Sequence, residues 1–210
     1  MKNLKSEIIK YSKMLNSKKL SALRSGNISL RFKNGFFITP SGKKYSSLKN
    51  SDIVFVSLNG YFDKKKGIPS SEWKFHQDIY RNKKDAKAIV HAHSVNATAV
   101  STHKRGIPPF HYMVAMAGGH NIKCAQYATF GTRELSNNIL KALKDRKACL
   151  IANHGQIAFE ENLSKAFELA EEVENISLQY ITSLKLGKPR ILSVLEMKKV
   201  LSKAKNYKKG

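Results

Sequence analysis

His91 and His93 stand two apart in Val-His-Ala-His-Ser (90–94), directly after Ala88 and Ile89. The apolar lead-in predicts a short strand, and residues two apart on a strand project to the same side. Two imidazoles on one face are costly in an apolar core unless each finds a partner, and one divalent cation serves both. Two hydrogen-bonded histidines at a strand end is the alternative. Zinc asks for a third or fourth ligand. The chain offers His154 in Ile-Ala-Asn-His-Gly, behind the apolar run from Ala148 to Ala152, and Glu72, which opens an expected helix after Pro69-Ser70-Ser71. These histidines and the carboxylate, each at the end of a regular element, compose a mononuclear site for one Zn2+ per chain.

The elements that must position them are legible in outline. Leu4, Ile8, Ile9, Tyr11 and Leu15 recur at near-helical spacing with lysines between them, which predicts an amphipathic helix from Asn3 to Leu15. Ser25-Gly26-Asn27-Ile28-Ser29 breaks that pattern with small polar residues and reads as a turn, either an ordinary one or one that holds an anion. Strands are expected at Leu30–Phe32 and Phe36–Thr39, joined at Asn34-Gly35, with Thr39-Pro40-Ser41-Gly42 as a second small-residue turn. Ile53–Leu58 predicts another strand, with Asn59-Gly60 turning it back through Tyr61 and Phe62. The helix from about Glu72 to Arg81 starts on Ser70 and Ser71, which suit capping and phosphate binding alike. Further helices are expected at Val95–Thr102, Arg133–Leu143, Leu163–Leu184 and around Glu196–Lys203, ahead of a tail containing Tyr207. In the long helix, Phe167, Ala170, Val173 and Ile176 form the apolar side, while Glu168, Glu171, Glu172 and Glu174 suggest a solvated or intersubunit face. Tyr112 suits packing as well as chemistry.

Composition narrows the class. The 210 residues fit one domain over positions 1–210, and 41% hydrophobic residues suffice for an ordinary core. No apolar run approaches the roughly 18 residues of a membrane span, so a cytoplasmic protein is expected. Cys124 and Cys149 sit in apolar surroundings as small core residues rather than a disulfide or a ligand pair. The net charge of +23 invites a nucleic-acid reading. Its lysines, however, are scattered along the whole length and are not interleaved with aromatics on one stripe, so no specific nucleic-acid partner is expected. A positive field of this kind attracts anionic small molecules.

Taken together, Gly-Asn-Ile-Ser (26–29), Thr-Pro-Ser-Gly (39–42), Ser-Ser-Glu-Trp (70–73), His-Ala-His (91–93), Tyr-Ala-Thr-Phe-Gly-Thr-Arg-Glu-Leu (127–135) and Asn-His-Gly (153–155) resemble the class II aldolase and adducin-head family. The resemblance spans nearly the whole chain in order. It implies a single α/β domain with a central, mainly antiparallel sheet between helix layers, assembled as a cyclic homotetramer. It also implies zinc-dependent cleavage of L-fuculose 1-phosphate, or a related ketose 1-phosphate, to glycerone phosphate and L-lactaldehyde or a related aldehyde. Carried over residue by residue, it makes His91, His93, His154 and Glu72 the zinc ligands, and Gly26, Asn27, Ser41, Gly42, Ser70 and Ser71 the phosphate site. Tyr112 and Tyr207 would reach the aldehyde half from the same or an adjoining subunit. In such a reaction Tyr112 is the candidate base at the C4 hydroxyl, and Glu72 the candidate acid at the enediolate carbon. Ser41 stands where relatives often carry threonine, and Ala204, three before Tyr207, stands where an aromatic is expected, which bears on aldehyde specificity. Ribulose-phosphate 4-epimerase and methylthioribulose-phosphate dehydratase are the alternatives within the family. A basic nucleic-acid-binding protein that keeps the fold alone is the alternative outside it.

Overall fold

The computed structural model describes residues 2–207 and, of these, the side chains of 3–204. Its helices are α1 (Lys2–Ser17), α2 (Trp73–Asn82), α3 (Val95–Thr102), α4 (Arg133–Ala142), α5 (Leu163–Lys185) and α6 (Val194–Tyr207). The strands are β1 (Asn27–Phe32), β2 (Gly35–Ile38), β3 (Val54–Ser57), β4 (Ala88–Ala92), β5 (Lys123–Ala125), β6 (Ala148–Ile151) and β7 (Gly155–Glu160). They form one sheet in the order β3-β2-β1-β4-β7-β6-β5, antiparallel throughout except for the β5–β6 pair.

The sheet is covered on both faces, and alternation along each strand divides its side chains between two cores. Ala88, Val90 and Ala92 of β4 join Ile8 of α1, Ala97 of α3, Ala166 and Val173 of α5 and Met197 of α6. Ile89 points the other way, toward Phe75 and Ile79 of α2 and Leu135 and Ile139 of α4. His91, two residues on from Ile89, therefore emerges on the α2 side, at the edge of that second core. Cys149 is fully buried and Cys124 partly so, and both are free. Burial pushes the Cys124 thiol up to about 11, which makes it an inert packing group. Among the described residues, no helix is long and apolar enough to cross a membrane.

Several local expectations are corrected. The tight turn between β1 and β2 is Lys33-Asn34, not Asn34-Gly35, because Gly35 already pairs with Phe32. The 25–29 stretch is a turn only up to Gly26, since Asn27, Ile28 and Ser29 open β1. Tyr61 and Phe62 form no returning strand: Ser57 N–H bonds to the Tyr61 carbonyl across the turn, and pairing stops there. Strands β5 and β7 were not foreseen, and α6 is longer than expected at both ends. The acidic face of α5 is not uniformly solvated either. Glu174 accepts the backbone N–H groups of Asn96 and Ala97, at 2.9 Å each, and so caps the start of α3.

Candidate active site

The strand histidines meet the hairpin histidine because β4, β7 and β6 are neighbours in the sheet. Asn153, at φ 54°, and His154 lie in the turn between β6 and β7. The turn can press against the end of β4 because residue 155 is glycine, whose place a Cβ would take only at 2.4 Å from the Ala92 carbonyl oxygen. Gly26 performs the same service on the other flank. A Cβ there would meet the His91 carbonyl at 2.6 Å, and its φ of +78° is one that side chains resist. Glu72 arrives from outside the sheet as the residue before α2, and its side chain makes no capping bond.

The three imidazole rings are set edge to face, with centroids 4.8–4.9 Å apart and interplanar angles of 72–86°. One ligand atom from each of Glu72, His91, His93 and His154 lies within 4.8 Å of all the others. His91 Nδ1 sits 2.8 Å from the Gln156 carbonyl. A carbonyl only accepts, so Nδ1 carries the proton and Nε2 presents a lone pair. That Nε2 is 2.9 Å from His93 Nε2 and 3.2 Å from Glu72 Oε2. Glu72 Oε1 lies 3.1 Å from His154 Nε2, yet it is buried without a hydrogen-bond partner. A lone pair and a carboxylate oxygen facing each other at 3.2 Å, beside an orphaned second oxygen, are a donor set that fits a divalent cation. His93–His91 hydrogen bonding can satisfy one nitrogen and leaves Glu72 Oε1 unanswered.

Burial and the neighbouring histidines set the protonation of Glu72 and His93. Burial alone would raise the Glu72 carboxyl, but the adjacent His91 and His154 outweigh it and hold the group well below the usual carboxylate range. Burial, reinforced by His91 and His154, pushes the His93 imidazole down to about 3, so it is neutral at physiological pH.

A cavity of about 360 Å³ opens over this group. All six residues expected to hold phosphate, Gly26, Asn27, Ser41, Gly42, Ser70 and Ser71, line it together with Glu72, His93 and His154. The Ser41 and Ser70 segments are tied together by backbone bonds, Ser70 N–H to the Thr39 carbonyl and Ser41 N–H to the Ile68 carbonyl, each at 3.0 Å. Arg24, which sequence reasoning missed, is the one arginine or lysine among the cavity-lining residues, and its guanidinium donates to the Gly42 carbonyl at 2.8 Å. Its signal was its place, two residues before Gly26 in a small-residue turn. Tyr127, Phe130 and Asn153 complete the rim. Tyr112 is not brought to this cavity. It begins a 3-10 turn over Tyr112–Ala117, is 54% exposed, and its ring leans at 50° against that of His111. Tyr207 ends α6, and its side chain, like residues 208–210, lies outside the described residues.

A metal-ready carboxylate and histidine cluster facing small-residue turns defines a class of enzyme, and comparison with known proteins agrees. The family described as Class II Aldolase and Adducin N-terminal domain matches residues 6–181, and the chain belongs to that family. Class II aldolases are metal-dependent lyases, in keeping with the Glu72, His91, His93 and His154 group. An L-fuculose phosphate aldolase of Escherichia coli (strain K12) is 50% identical over 184 residues, 87% of this chain and 85% of that protein. A 5-methylthioribulose-1-phosphate/5-deoxyribulose-1-phosphate aldolase of Rhodospirillum rubrum is 47% identical over 183 residues, 87% of this chain and 82% of that one. A solved structure of an L-fuculose 1-phosphate aldolase superposes with a TM-score of 0.94 at 39% identity, covering 98% of this chain and 97% of its own.

Proposed function

We propose that this chain, a single domain over residues 1–210, is a zinc-dependent aldolase. It cleaves L-fuculose 1-phosphate or a related ketose 1-phosphate to glycerone phosphate and L-lactaldehyde or a related aldehyde. The observation that carries the reading is the placement of the Glu72, His91, His93 and His154 group and the serine–glycine turns at Ser41-Gly42 and Ser70-Ser71 on one cavity. Its volume of about 360 Å³ suits a small metabolite. Zinc, when bound there, supplies Lewis-acid stabilisation of the enediolate left on the phosphate-bearing fragment.

The chain's own residues divide the remaining work. Gly26, Asn27, Ser41, Gly42, Ser70 and Ser71 hold the phosphate, and Arg24 adds positive charge beside them. A base removes the proton from the C4 hydroxyl, the C3–C4 bond breaks, and its electron pair remains on C3 as part of the enediolate. Glu72, which takes up a proton from solvent once substrate occupies the cavity, then delivers it to C3. Tyr112 serves as the base from an adjoining copy, because it does not line the cavity of its own chain. The active unit of this proposal is a cyclic homotetramer acting in the cytoplasm, with Tyr207 reaching the aldehyde half.

A second substrate has specific support. The Rhodospirillum rubrum relative carries 5-methylthioribulose-1-phosphate in its name at 47% identity, and Ala204 stands where an aromatic was expected against the aldehyde. Purified protein loaded with zinc is to be assayed for glycerone phosphate release from L-fuculose 1-phosphate, 5-methylthioribulose 1-phosphate and 5-deoxyribulose 1-phosphate. Release from one of them, abolished by a chelator and restored by zinc, is expected. No release from any of them overturns the proposal.

A further inference from the structure

Glu72, His76 and Tyr80 stand four apart at and along α2, and Asn27, Ser29 and Arg31 stand two apart along β1. Four helical residues rise about 6 Å and two strand residues about 6.7 Å, so the two rows run in step. Each rung is made. Asn27 Nδ2 donates to Glu72 Oε2 at 2.9 Å. Asn27 Oδ1 is 2.5 Å from His76 Nε2, and His76 Nδ1 is 2.7 Å from Ser29 Oγ. Ser29 Oγ is 2.8 Å from the Tyr80 hydroxyl, and the Arg31 guanidinium lies over the Tyr80 ring at 4.8 Å. All but Arg31 are buried: Asn27 is 2% exposed, Ser29 and His76 0%, Tyr80 2% and Glu72 7%.

The charge at one end dictates every proton in this row. An ionised carboxylate only accepts, so Asn27 turns its NH2 to Glu72 and its carbonyl oxygen to His76. His76 must then carry its proton on Nε2 and accept on Nδ1. Ser29 must donate to that Nδ1, and Tyr80 must donate to Ser29. The row ends on Oε2 alone, while Oε1 has no hydrogen-bond donor.

We propose that His76 is a positioning residue for the reaction: through Asn27 it locks Glu72 Oε2 in place and leaves Oε1 as the oxygen that carries the proton to the enediolate carbon. This rests on the reading of Glu72 as proton carrier. His76 touches neither the cavity nor the zinc ligands' donor atoms, and its contribution is to the aim of the carboxylate. Without the Nε2–H, the Asn27 amide is free to rotate, and Glu72 can swing about its side-chain bonds.

The first test reads the proton directly, with no dependence on turnover. Long-range proton–nitrogen NMR of the ¹⁵N-histidine-labelled wild type is expected to show His76 as the Nε2–H tautomer. An Nδ1–H tautomer overturns the proposal. The second test compares zinc-replete His76→Phe, His76→Gln and Glu72→Gln. His76→Phe is expected to lose about 10- to 100-fold in kcat, the range for the Asn27-to-carboxylate hydrogen bond that His76 holds in place, with zinc content near wild type. KM is expected to rise by less than kcat falls, since Asn27 also belongs to the phosphate site. His76→Gln, whose amide N–H reaches about as far as Nε2–H, is expected to recover most of that loss. Wild-type kcat in His76→Phe, or a change confined to KM or zinc content, overturns the positioning role. If Glu72→Gln also keeps normal kcat, the proton-carrier reading falls with it; if Glu72→Gln is crippled and His76→Phe is not, only the present inference falls. Should His76→Phe fail to fold, Tyr80→Phe, which deletes the donor to Ser29, is expected to lower kcat about 2- to 10-fold at unchanged KM. An unchanged kcat there counts against the row.

Discussion

Glu72→Gln separates a carboxylate that carries a proton from one that merely ligates. The amide has one acceptor and one donor where the carboxylate has two acceptors. Asn27 Nδ2 requires an acceptor 2.9 Å away at the Oε2 position, so the glutamine oxygen takes that place. The NH2 group then falls at the Oε1 position, 3.1 Å from His154 Nε2, where it donates to the imidazole. An orphaned oxygen is thereby exchanged for a neutral hydrogen bond, a gain on the order of 1 kcal/mol. At about pH 8 the metal-free variant is expected to match or exceed wild-type stability in urea. Zinc affinity is expected to fall, because the site loses its anionic ligand and the amide competes for the His154 lone pair. With zinc in excess, kcat is expected to fall about 10² to 10⁴-fold, or roughly 3 to 5 kcal/mol of barrier. KM is expected to stay near wild type because the serine turns are untouched. Exchange of the pro-chiral hydrogen of glycerone phosphate with deuterated solvent, followed by NMR, should decline in parallel with cleavage. Near-normal exchange in zinc-replete protein would refute the reasoning and move the proton to another group.

His91→Ala and His154→Ala are each expected to lower zinc affinity by orders of magnitude while circular dichroism shows an intact fold, and unaltered metal content in both would count against the ligand set. Ser71→Ala and Arg24→Ala act on a group that does not react, so each is expected to weaken substrate binding by roughly 1 to 3 kcal/mol with kcat little changed; a collapsed kcat at constant KM contradicts this. Burial, and then the neighbouring His91, push the His76 imidazole down to about 3 from an ordinary 6.5. The unfolded chain therefore binds a proton below pH 6.5 that the folded chain refuses down to about 3, so this contribution to stability is complete above 6.5 and is lost as the pH falls toward 3. Urea titrations between about pH 7 and pH 4 should show a shallower acid decline for His76→Phe than for wild type, and equal slopes would remove His76 from the account.

The chemistry-bearing residues announced themselves by type, spacing and position at element ends. His91 and His93 needed only a strand's period of two, and His154 and Glu72 needed only the neighbouring apolar run and helix start. The helix from Leu163 was legible from its apolar spacing. Strand β7 was not, because Gly155–Glu160 is buried along its whole length and its Ile157 and Phe159 are too few to set a period. Strand β5 has three residues, too few for a pattern to form. The Asn34-Gly35 signal misled by one residue because Gly35 is needed in the strand: a Cβ there would meet the Val56 carbonyl at 2.4 Å.

Sequence alone thus determined which groups can ligate a cation and which turns can cradle an anion, since these properties belong to residue types and local geometry. Only the tertiary structure decided that they share a site. The order β1-β4-β7-β6 sets Asn27 beside His91 and brings the Asn153-His154 turn to the end of β4, and the strand pair His91–Ile157, 66 residues apart, is a long-range contact that no local period records. The row from Glu72 to Tyr80 is the sharpest case. Its members are polar residues at periods of four and two in separate segments, each unremarkable by itself. They become one directed chain of donors only when α2 lies along β1, because a buried, ionised carboxylate orders every partner behind it.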